Sequence, residues 1–394
     1  MRSGGAEEAV PVEAGPDGQL PVPRYGGGSL ADLLPSVLHG LGVHTPDGPP
    51  ALALPPADRV CVLLVDGLGL ELLRQHRDVA PFLGSLLDTG VGLTAGFPST
   101  TATSLPSLGT GLPPGVHGML GYEMFVPAID RVMNCLTWDR DVDPVLLQPR
   151  QTAFERAAAA GVAVTRIGPR KLDGTGLTLA GLRGGRHAGA ESAGERVLAA
   201  RAALREGDRS LVYVYYGDLD ATGHRVGCAS PAWRYQLAHV DLLAAQLAAA
   251  LPEDAVLLVT ADHGMVDVPP DGRWDLATTP VLDAGVRLIA GEPRAVYVHT
   301  VDGAADEVLA AWRETLGDTA WVLSRDEAVA AGWFGPQVAD VVLPRIGDVV
   351  VAARGPVAVF DSRRARPEVL ALVGLHGSLT PAELDVPLLV APRG

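Results

Sequence analysis

Cysteine and lysine are both scarce in this sequence. Three cysteines occur among 394 residues, at Cys61, Cys135 and Cys228, and Lys171 is the only lysine. Three widely spaced cysteines are too few for a disulfide framework or a thiolate metal site. The formal net charge of −15 argues against a broad nucleic-acid-binding face, because such a face needs clustered Lys and Arg.

Long apolar runs are also missing. No stretch of about 18 uninterrupted apolar residues occurs, so we expect no membrane span. The N-terminal segment MRSGGAEEAVPVEAG is acidic and rich in Gly, and it lacks the apolar stretch of a signal peptide. Together these features predict a cytoplasmic protein. They do not predict its oligomeric state.

The sequence does contain enough apolar material for a large core. A hydrophobic fraction of 47% over 394 residues suits one large α/β domain with an insertion, or two domains. Three segments are typical of buried parallel strands: RVCVLLVDGLG, SLVYVYYGDLD and AVLLVTADHG. Each ends in acidic residues beside Gly. Because ligands bind outside the carboxyl ends of strands in open α/β sheets, we expect these acidic residues to converge at one edge.

The order of elements along the chain predicts an α/β fold with three parts. Residues 1–28 are expected to form a mobile tail, because they are rich in Gly and Pro without any period. Residues 29–265 and 366–394 are expected to form a core, with a mostly parallel central sheet flanked by helices on both faces. Residues 266–365 are expected to form a smaller inserted α+β cap, with strands at RAVYVHT and DVVVAAR and a helix at ADEVLAAWRETL.

Six carboxylate and imidazole side chains are candidate metal ligands. They are Asp66, Asp220, His224, Asp262, His263 and His376. Such a mixed set of carboxylates and imidazoles is what borderline divalent metals such as zinc favour, with manganese or iron as alternatives. Taken singly, each residue also fits a turn, a helix N-cap or a surface loop. The agreement among their local contexts favours a metal site.

A cluster of hydroxyls in FPSTTATSLPSLGTG is a candidate source of a nucleophile. It contains Ser99, Thr100, Thr101, Thr103 and Ser104. Hydroxyl side chains are also common in loops and at helix N-caps, so residue type alone does not choose among them. A threonine hydroxyl is a weak nucleophile at neutral pH, and coordination to a metal would activate it.

The motifs around these residues resemble the alkaline phosphatase superfamily, in its nucleotide pyrophosphatase/phosphodiesterase branch. The resemblance covers roughly residues 58–120, 210–265 and 370–394. It implies an alkaline phosphatase-like fold and two divalent metal ions, most simply Zn²⁺, with Mn²⁺ or Fe as alternatives. One ion would be held by Asp220, His224 and His376. The other would be held by Asp66, Asp262, His263 and the nucleophile.

The resemblance also selects Thr101 as the nucleophile. In the family the nucleophilic Thr comes four residues after the Phe of an FP dipeptide, here Phe97, and about ten before a TG dipeptide, here Thr110-Gly111. The implied reaction is attack by Thr101 on a phosphoryl group clamped by two metals about 4 Å apart, through a covalent phospho-threonine. The leading hypothesis is therefore a metal-dependent hydrolase of phosphodiester or nucleotide pyrophosphate bonds, acting on a small phosphorylated substrate such as a nucleotide.

One position departs from the family pattern and leaves the substrate open. The branch usually has an Asn shortly after HG that binds a phosphate oxygen, and Tyr122 stands there in this chain. Its phenol could take over that hydrogen bond, or Asn134 could supply it. Phe97 and Tyr122 could line a pocket for a base or an aryl leaving group, or could belong to the core.

Other activities of the superfamily remain open or fit less well. A dedicated monoesterase would need an Arg beside the nucleophile, and Arg166, Arg170 and Lys171 are the candidates to reach it. A sulfatase is disfavoured because the nucleophile region has no Cys and no C-x-P-x-R pattern. Phosphonate hydrolysis, phosphomutase activity and a metal-binding protein without catalysis remain alternatives.

Overall fold

The computed structural model describes residues 20–43 and 50–391 of the chain. The strands within these ranges are, in chain order, β1 (Arg59–Val65), β2 (Val91–Thr94), β3 (Glu123–Val126), β4 (Arg131–Asn134), β5 (Ala163–Gly168), β6 (Arg186–Gly189), β7 (Ser210–Tyr216), β8 (Ala255–Thr260), β9 (Val266–Asp267), β10 (Arg273–Asp275), β11 (Val286–Glu292), β12 (Ala295–Thr300), β13 (Ala320–Ser324), β14 (Val349–Ala353), β15 (Ala358–Phe360), β16 (Gly374–Leu375) and β17 (Asp385–Ala391).

The α-helices within the same ranges are α1 (Leu33–Gly40), α2 (Leu70–Gln75), α3 (Pro81–Leu86), α4 (Thr101–Thr110), α5 (Pro114–His117), α6 (Pro144–Leu147), α7 (Ala153–Ala159), α8 (Gly176–Gly181), α9 (Ala193–Ala203), α10 (Asp218–Val226), α11 (Pro231–Ala250), α12 (Pro280–Asp283), α13 (Ala305–Leu316), α14 (Arg325–Ala330), α15 (Pro367–Leu370) and α16 (Pro381–Leu384). Short 3-10 helices lie at Leu30–Asp32, Pro127–Ile129, Arg170–Leu172, Pro270–Gly272, Gly317–Thr319 and Leu343–Arg345.

The central sheet has seven strands in the order β2-β17-β8-β1-β7-β5-β6. The five strands from β8 to β6 pair in parallel, whereas β17 runs antiparallel to its neighbours β8 and β2. Strands β1, β7 and β8 are the three apolar runs of the sequence, and they are buried almost throughout. Helices flank the sheet, so these strands do not alternate polar and apolar residues. The structure confirms the predicted α/β fold with a mostly parallel central sheet.

Helix α11 shows how the core is covered. The side chain of Ser230 caps its N-terminus by accepting a hydrogen bond from the backbone N–H of Trp233. Trp233, Leu237 and Val240 are fully buried on one face, whereas Tyr235 on another face is 74% exposed. Burying a side chain the size of leucine stabilises the fold by about 1.5–3 kcal/mol. This apolar face therefore holds α11 against α3, α9 and α10.

A second sheet has six strands in the order β13-β14-β12-β11-β3-β4, and its pairs are antiparallel. Side chains alternate along β12: Ala295 and Tyr297 join the main hydrophobic core, whereas Val296 and Val298 pack in a second core with Trp312 of α13. The sheet is therefore a layer between the main core and α13.

The second sheet draws strands from two parts of the sequence. Strands β11 to β14 come from the predicted cap, 266–365, but the hairpin β3–β4 comes from the region that we expected in the core. The hairpin joins through a pairing of Glu123 with Gly291 of β11. The division into a core at 29–265 and 366–394 and a cap at 266–365 stays a prediction.

The N-terminal segment of the described chain is bonded to the core. Arg24 donates its backbone N–H to Thr94 Oγ1, and the Gly28 carbonyl accepts from the Thr94 N–H. The hydroxyl of Tyr25 donates to the Trp333 carbonyl. These contacts place Arg24–Gly28 on the fold, and residues 1–19 of the predicted tail lie outside the described residues. Among the helices of 20–43 and 50–391, none has the length and hydropathy needed to span a bilayer.

Candidate active site

The candidate metal ligands meet at the carboxyl edge of the central sheet. Asp66 directly follows β1, and Asp262 and His263 come shortly after β8. Helix α10 begins just beyond β7 and carries Asp220 and His224 one turn apart. This is the edge at which open α/β sheets bind their ligands. The predicted convergence of the three strand ends is what the structure shows.

His376 reaches the same edge through a short ladder. Strand β16 pairs antiparallel with β9, so Leu375 lies opposite Val266. Strand β9 closely follows His263, and His376 directly follows β16. The ladder therefore brings together two histidines that are far apart in sequence, and their rings stack with centroids 3.6 Å apart.

The turn after β1 requires a glycine. Gly67 has a φ of 74°, in the left-handed region that glycine adopts without strain. A Cβ at this position would lie 3.0 Å from the Cβ of Asp220. The backbone N–H of Gly67 also donates to Asp262 Oδ1 at 3.2 Å. The Asp-Gly pair thus lets the end of β1 approach both other strand ends.

We call Asp66, Asp262 and His263 the inner group. His263 Nε2 lies 3.3 Å from Asp66 Oδ1 and 3.6 Å from Asp262 Oδ2. The hydroxyl of Thr101 joins this group, at 3.1 Å from His263 Nε2 and 3.3 Å from Asp66 Oδ1. Tyr215 donates its hydroxyl to the other oxygen of Asp66. All of these ligand atoms point to one small space.

We call Asp220, His224 and His376 the outer group. Asp220 Oδ1 lies 3.4 Å from His224 Nε2 and 3.8 Å from His376 Nε2, and the two Nε2 atoms are 3.3 Å apart. His376 stacks on His263 of the inner group, so the two groups share a wall. The structure therefore brings together the two sets of ligands that the family resemblance implies.

Backbone carbonyls determine which nitrogen of each histidine faces the site. Each Nδ1 lies close to a carbonyl oxygen, which can only accept a hydrogen bond. The pairs are His224 with Gly374 at 2.7 Å, His263 with Gly264 at 2.8 Å and His376 with Ser99 at 3.1 Å. Each Nδ1 must therefore carry a hydrogen, and a neutral ring presents the lone pair of Nε2 to the site. This is the arrangement of metal-binding histidines.

Carboxylate oxygens in both groups lack hydrogen-bond donors. Asp220 Oδ1 and Asp262 Oδ2 are buried and have no hydrogen-bond partner among the described residues. The neighbouring Nε2 atoms of His224 and His376 cannot donate to Asp220, since their hydrogens are on Nδ1. In the outer group, Asp220 Oδ1 and the Nε2 atoms of His224 and His376 thus converge as acceptors without a donor between them. A cation fits this arrangement. The side chains whose ligand atoms lie close enough together to hold a metal ion are Asp66, Asp262 and His263 in one cluster and Asp220, His263 and His376 in the other, so His263 is shared and His224 lies outside both clusters.

The pKa values show the same excess of negative charge. Burial, with repulsion from a neighbouring carboxylate, raises the pKa of Asp262 to about 7 and the pKa of Asp220 well above its usual range. Burial lowers the pKa of His224 and of His376, which favours their neutral, metal-binding form. Burial opposes the charge on His263 too, but the adjacent carboxylates outweigh it and raise its pKa to about 10.

Of the five candidate nucleophiles, Thr101 is the one whose hydroxyl contacts a ligand group in the described structure. It is the first residue of α4, after Thr100 at the N-cap. Ser99 donates its hydroxyl to the Ser378 carbonyl. Thr103 and Ser104 are buried and have no described hydrogen-bond partner for their hydroxyls. The contacts therefore agree with the choice of Thr101 made from spacing.

A cavity of about 460 Å³ opens beside Thr101 and both ligand groups. Tyr122 lines it, and its hydroxyl accepts a hydrogen bond from the guanidinium of Arg366 at 3.3 Å. Two other predicted substrate contacts do not line it. Phe97 is fully buried against Trp333 and Phe334. Asn134 uses its side-chain oxygen to accept from the backbone N–H groups that follow it.

Glu292, at the end of β11, is a cavity residue that sequence reasoning missed. It lines the cavity and is only 7% exposed. Its Oε1 accepts a hydrogen bond from the backbone N–H of Tyr122 at 2.7 Å. Burial raises the pKa of Glu292 to about 8. The only signal in the sequence is a polar residue at the end of an apolar strand, which is too common to be diagnostic.

Of the three basic residues considered from the sequence, Arg166 lines the cavity, and Arg170 and Lys171 do not. Tyr213 and His187 line it on the same side as Arg166. The sequence gives no sign that these three belong together, because they lie on three different strands.

A sequence profile of the type I phosphodiesterase/nucleotide pyrophosphatase family matches residues 60–379. This range is more than half of the chain and contains both ligand groups and Thr101. The chain belongs to the type I phosphodiesterase/nucleotide pyrophosphatase family. It is accordingly a hydrolase of a metal-dependent family, and the resemblance seen in the sequence is confirmed.

Solved structures share the fold of this phosphodiesterase-family chain. Murine ectonucleotide pyrophosphatase/phosphodiesterase 5 is 20% identical, with a TM-score of 0.66 over 84% of this chain and 87% of that chain. An inactive form of that protein has been solved in complex with AMP. Phosphonoacetate hydrolase from Sinorhizobium meliloti, in complex with phosphonoformate, is 22% identical, with a TM-score of 0.65 over 85% and 90%. A comparison with curated proteins gave no match.

Proposed function

We propose that this protein hydrolyses a phosphodiester or nucleotide pyrophosphate bond, with Thr101 as the nucleophile. The observation that carries the proposal is the position of Thr101 Oγ1, 3.1 Å from His263 Nε2 and 3.3 Å from Asp66 Oδ1, at the mouth of a cavity. A hydroxyl among metal-type ligands is placed to become a nucleophile, whereas the other hydroxyls of the cluster are not.

We assign one divalent cation to each ligand group. The inner group and Thr101 would hold one ion, and the outer group would hold the other. The mixture of carboxylates and imidazoles suits Zn²⁺ best, with Mn²⁺ or Fe as alternatives. When bound, such ions supply Lewis-acid stabilisation of the threonine alkoxide and of the charge on the reacting phosphoryl and leaving oxygens.

In the first step Thr101 Oγ1 attacks phosphorus in line with the leaving oxygen. The new Oγ1–P bond forms as the ester or anhydride P–O bond breaks, and the proton of Thr101 ends on the leaving group. Because Thr101 is the first residue of α4, the backbone N–H groups of that first turn face a non-bridging phosphoryl oxygen. Tyr122, which lines the cavity, can hydrogen-bond a second oxygen or the substituent on phosphorus.

In the second step water hydrolyses the phospho-threonine. Water attacks phosphorus opposite Oγ1, the P–Oγ1 bond breaks, and a proton from the water returns to Thr101. Acid quenching during turnover, followed by peptide mass spectrometry, should find on Thr101 the phosphoryl group together with the substituent that remains on phosphorus after the leaving group has departed. Finding it on Ser99, Thr100, Thr103 or Ser104 would reassign the nucleophile.

The phosphoryl end of the cavity favours a diester over a monoester. Among the described lining residues Arg166 is the only Arg or Lys, and it lies on the β5–β6 side, away from β1 and β8. A monoester dianion would need more positive charge beside the nucleophile than this. Phosphonate hydrolysis is the second candidate, because phosphonoacetate hydrolase shares the fold as fully as the pyrophosphatase relative does.

Turnover of three substrates by the metal-loaded protein tests this proposal. We expect bis(4-nitrophenyl) phosphate to be hydrolysed with a higher kcat/KM than 4-nitrophenyl phosphate, and both to be preferred to phosphonoacetate. A strong preference for the monoester would overturn the phosphodiesterase proposal. A preference for phosphonoacetate would establish the second candidate instead.

We also propose a cytoplasmic location and a small phosphorylated molecule as the partner. Cys61, Cys135 and Cys228 are all buried free thiols, which suits the reducing cytoplasm. The expected partner is a small phosphorylated molecule, for which a nucleotide is one option. Mass spectrometry of compounds released from purified protein would identify a retained substrate or product.

A further inference from the structure

Three polar side chains form a cluster on the β5–β6 side of the cavity. In the parallel ladders Arg166 of β5 lies opposite Tyr213 of β7 and opposite His187 of β6. Residues opposite one another in neighbouring strands share a face of the sheet. All three line the cavity. We call Tyr213, Arg166 and His187 the distal cluster.

Arg166 is a buried cation without a close counter-ion. It is 9% exposed, and its Nε donates to the Gly184 carbonyl at 3.0 Å. No carboxylate lies within 4 Å of its guanidinium in the described structure, although the charge of exposed Asp173 acts on it from farther away. Burying an unpaired charge is costly, and the remaining N–H groups of the guanidinium are free to bind a ligand.

The other two members of the distal cluster also have unused polar atoms. The hydroxyl of Tyr213 and Nε2 of His187 are buried, and neither has a hydrogen-bond partner among the described residues. Tyr213 as a whole is 3% exposed. Buried polar groups in folded proteins are almost always satisfied, so unpaired atoms lining a cavity point to a ligand group that pairs with them. A guanidinium cation and a hydroxyl that can donate a hydrogen bond together suit an anion.

Much of the cavity lining outside the distal cluster and the ligand groups is apolar. The distal cluster lies on β7, β5 and β6, whereas the inner group follows β1 and β8. Strands β1 and β5 are two spacings apart in the sheet, which is about 10 Å. Leu172, Leu177 and Leu182 line the cavity, together with Ile167. A ligand that spans the cavity therefore needs an apolar or aromatic middle.

We propose that the distal cluster binds a second anionic group of the substrate, a carboxylate or a phosphate, about one aromatic ring or more from the reacting phosphorus. This inference rests on the proposed function, because it takes the phosphoryl group to lie at Thr101 and the two ligand groups. Arg166 pairs with the anion and Tyr213 donates a hydrogen bond to it, while Nε2 of His187, whose Nδ1 hydrogen is bonded to the Pro169 carbonyl, can accept a hydrogen bond from a neighbouring N–H or O–H of the ligand. The substrate is thus an organic phosphate with acidic groups at both ends.

Competitive inhibition by stable phosphonates tests the proposal. The metal-loaded protein is assayed with bis(4-nitrophenyl) phosphate, and Ki is measured for benzylphosphonate, 4-carboxybenzylphosphonate and 1,4-xylylenediphosphonate. Biphenyl homologues of the three compounds place the second group farther from the phosphonate. At the better length we expect an anionic probe to bind roughly 10- to 100-fold more tightly than its uncharged parent. The carboxylate and phosphonate arms show which anion is preferred.

Variants then test whether the tighter binding of the anionic probes depends on the distal cluster. We compare the Ki of the uncharged parent with the Ki of the anionic probe of the same length. Arg166→Gln should reduce the ratio of these two Ki values towards one. Tyr213→Phe, which removes a single hydroxyl, should reduce the ratio in part. The matched control is Arg140→Gln, because Arg140 is 95% exposed and away from the cavity lining. The control should leave the ratio unchanged.

The outcomes separate this inference from the proposed function. Equal Ki values for charged and uncharged probes at both lengths would overturn the second anion site, even with normal phosphodiester turnover. A preference that survives both Arg166→Gln and Tyr213→Phe would overturn it as well. If the phosphodiester is not hydrolysed, the proposed function fails, and the same ratios measured by calorimetric titration still decide the anion site.

Discussion

The inner and outer groups offer similar ligands but differ in their surroundings. The side chains of Asp66, Asp262 and His263 are between 0 and 4% exposed. Those of Asp220, His224 and His376 are between 7 and 22% exposed. The inner group follows central strands, whereas Asp220 and His224 sit on a surface-facing helix, α10.

Under the proposed function, this difference in exposure assigns different steps of the reaction to the two groups. The inner group is held by the sheet and contacts Thr101, so it suits the generation of the nucleophile. The outer group borders the cavity and is reached more easily by water, so it suits the leaving group and the second, hydrolytic step. The predictions below test this contrast, beginning with the largest expected effect.

Thr101→Ala should have the largest effect. We expect turnover of bis(4-nitrophenyl) phosphate to fall by about three orders of magnitude or more, because the covalent step loses its nucleophile. Metal content, measured by elemental mass spectrometry, should stay close to that of the unaltered protein, since Asp66, Asp262 and His263 remain.

Ser104→Ala is the matched control for that variant. Ser104 lies one turn along α4, is buried, and has no contact with either ligand group in the described structure. Turnover should change little. Near-normal turnover in Thr101→Ala, or a large loss of turnover in Ser104→Ala, would show that Thr101 is not the nucleophile.

Single ligand substitutions should separate the two ions. We expect Asp262→Asn and Asp220→Asn each to lower the affinity for one metal ion by at least roughly 10- to 100-fold, because a charged ligand is lost. In the unaltered protein a chelator should remove one ion before the other, and Asp220→Asn should abolish the fast phase because the outer group is the more exposed. Release of both ions in one phase, in every variant, would argue against two unequal sites.

Acid should release metal through competition with protons. In the metal-free protein the pKa of Asp262 is about 7, so below pH 7 a metal must displace a proton from this carboxyl. Affinity should fall as the pH drops, by up to about tenfold per pH unit for each proton displaced. Calorimetric titrations at pH 8, 7 and 6 measure this slope. Because the pKa of His263 is about 10, displacement of its proton contributes to the slope at all three pH values. A slope that does not steepen below pH 7 would mean that Asp262 is not a ligand.

The smallest expected effect is a pH-dependent change in the stability of the fold on Glu292→Gln. Glu292 belongs to neither group, and burial raises its pKa from 4.5 to about 8. A raised pKa in the folded state adds stability that is present below about pH 4.5 and is lost as the pH rises through 8. The Gln variant should therefore be more stable than the unaltered protein at pH 9, by about 1–3 kcal/mol in urea unfolding, with little difference at pH 5.

The opposite ordering of the two proteins at pH 9 would mean that Glu292 gains a partner when ionised. Glu292 accepts hydrogen bonds from the Tyr122 backbone N–H and from the Thr100 side chain, and the bond from Tyr122 should survive in the Gln variant because the amide oxygen can still accept.

Most of the central sheet and the ligand groups could be predicted because their signals are local. Strand β1 ends in Val-Asp-Gly and β8 is followed by Ala-Asp-His-Gly, so an apolar run and its terminal ligands lie within a few residues. The i, i+4 spacing of Asp220 and His224 likewise places them on one side of α10. His376 was the weakest case from residues alone, since its partner strand β9 is distant in sequence.

Phe97 and Asn134 show where local reasoning fails. Both are close in sequence to Thr101 or Tyr122, which made them candidate substrate contacts. Whether a side chain enters a cavity depends on what packs around it. Phe97 packs on Trp333 and Phe334, more than 200 residues away, and Asn134 is occupied by the turn that follows it.

The sequence by itself predicted the type of fold and the six candidate ligands, because each depends on residues within one strand end or one turn. The resemblance to the family's motif spacing selected Thr101 as the candidate nucleophile. The tertiary structure alone decided that the two sets of ligands implied by the family resemblance differ in exposure. It also decided that Tyr213, Arg166 and His187 stand side by side. Strand order and register between distant segments create these neighbours, and no pattern within any one segment encodes them.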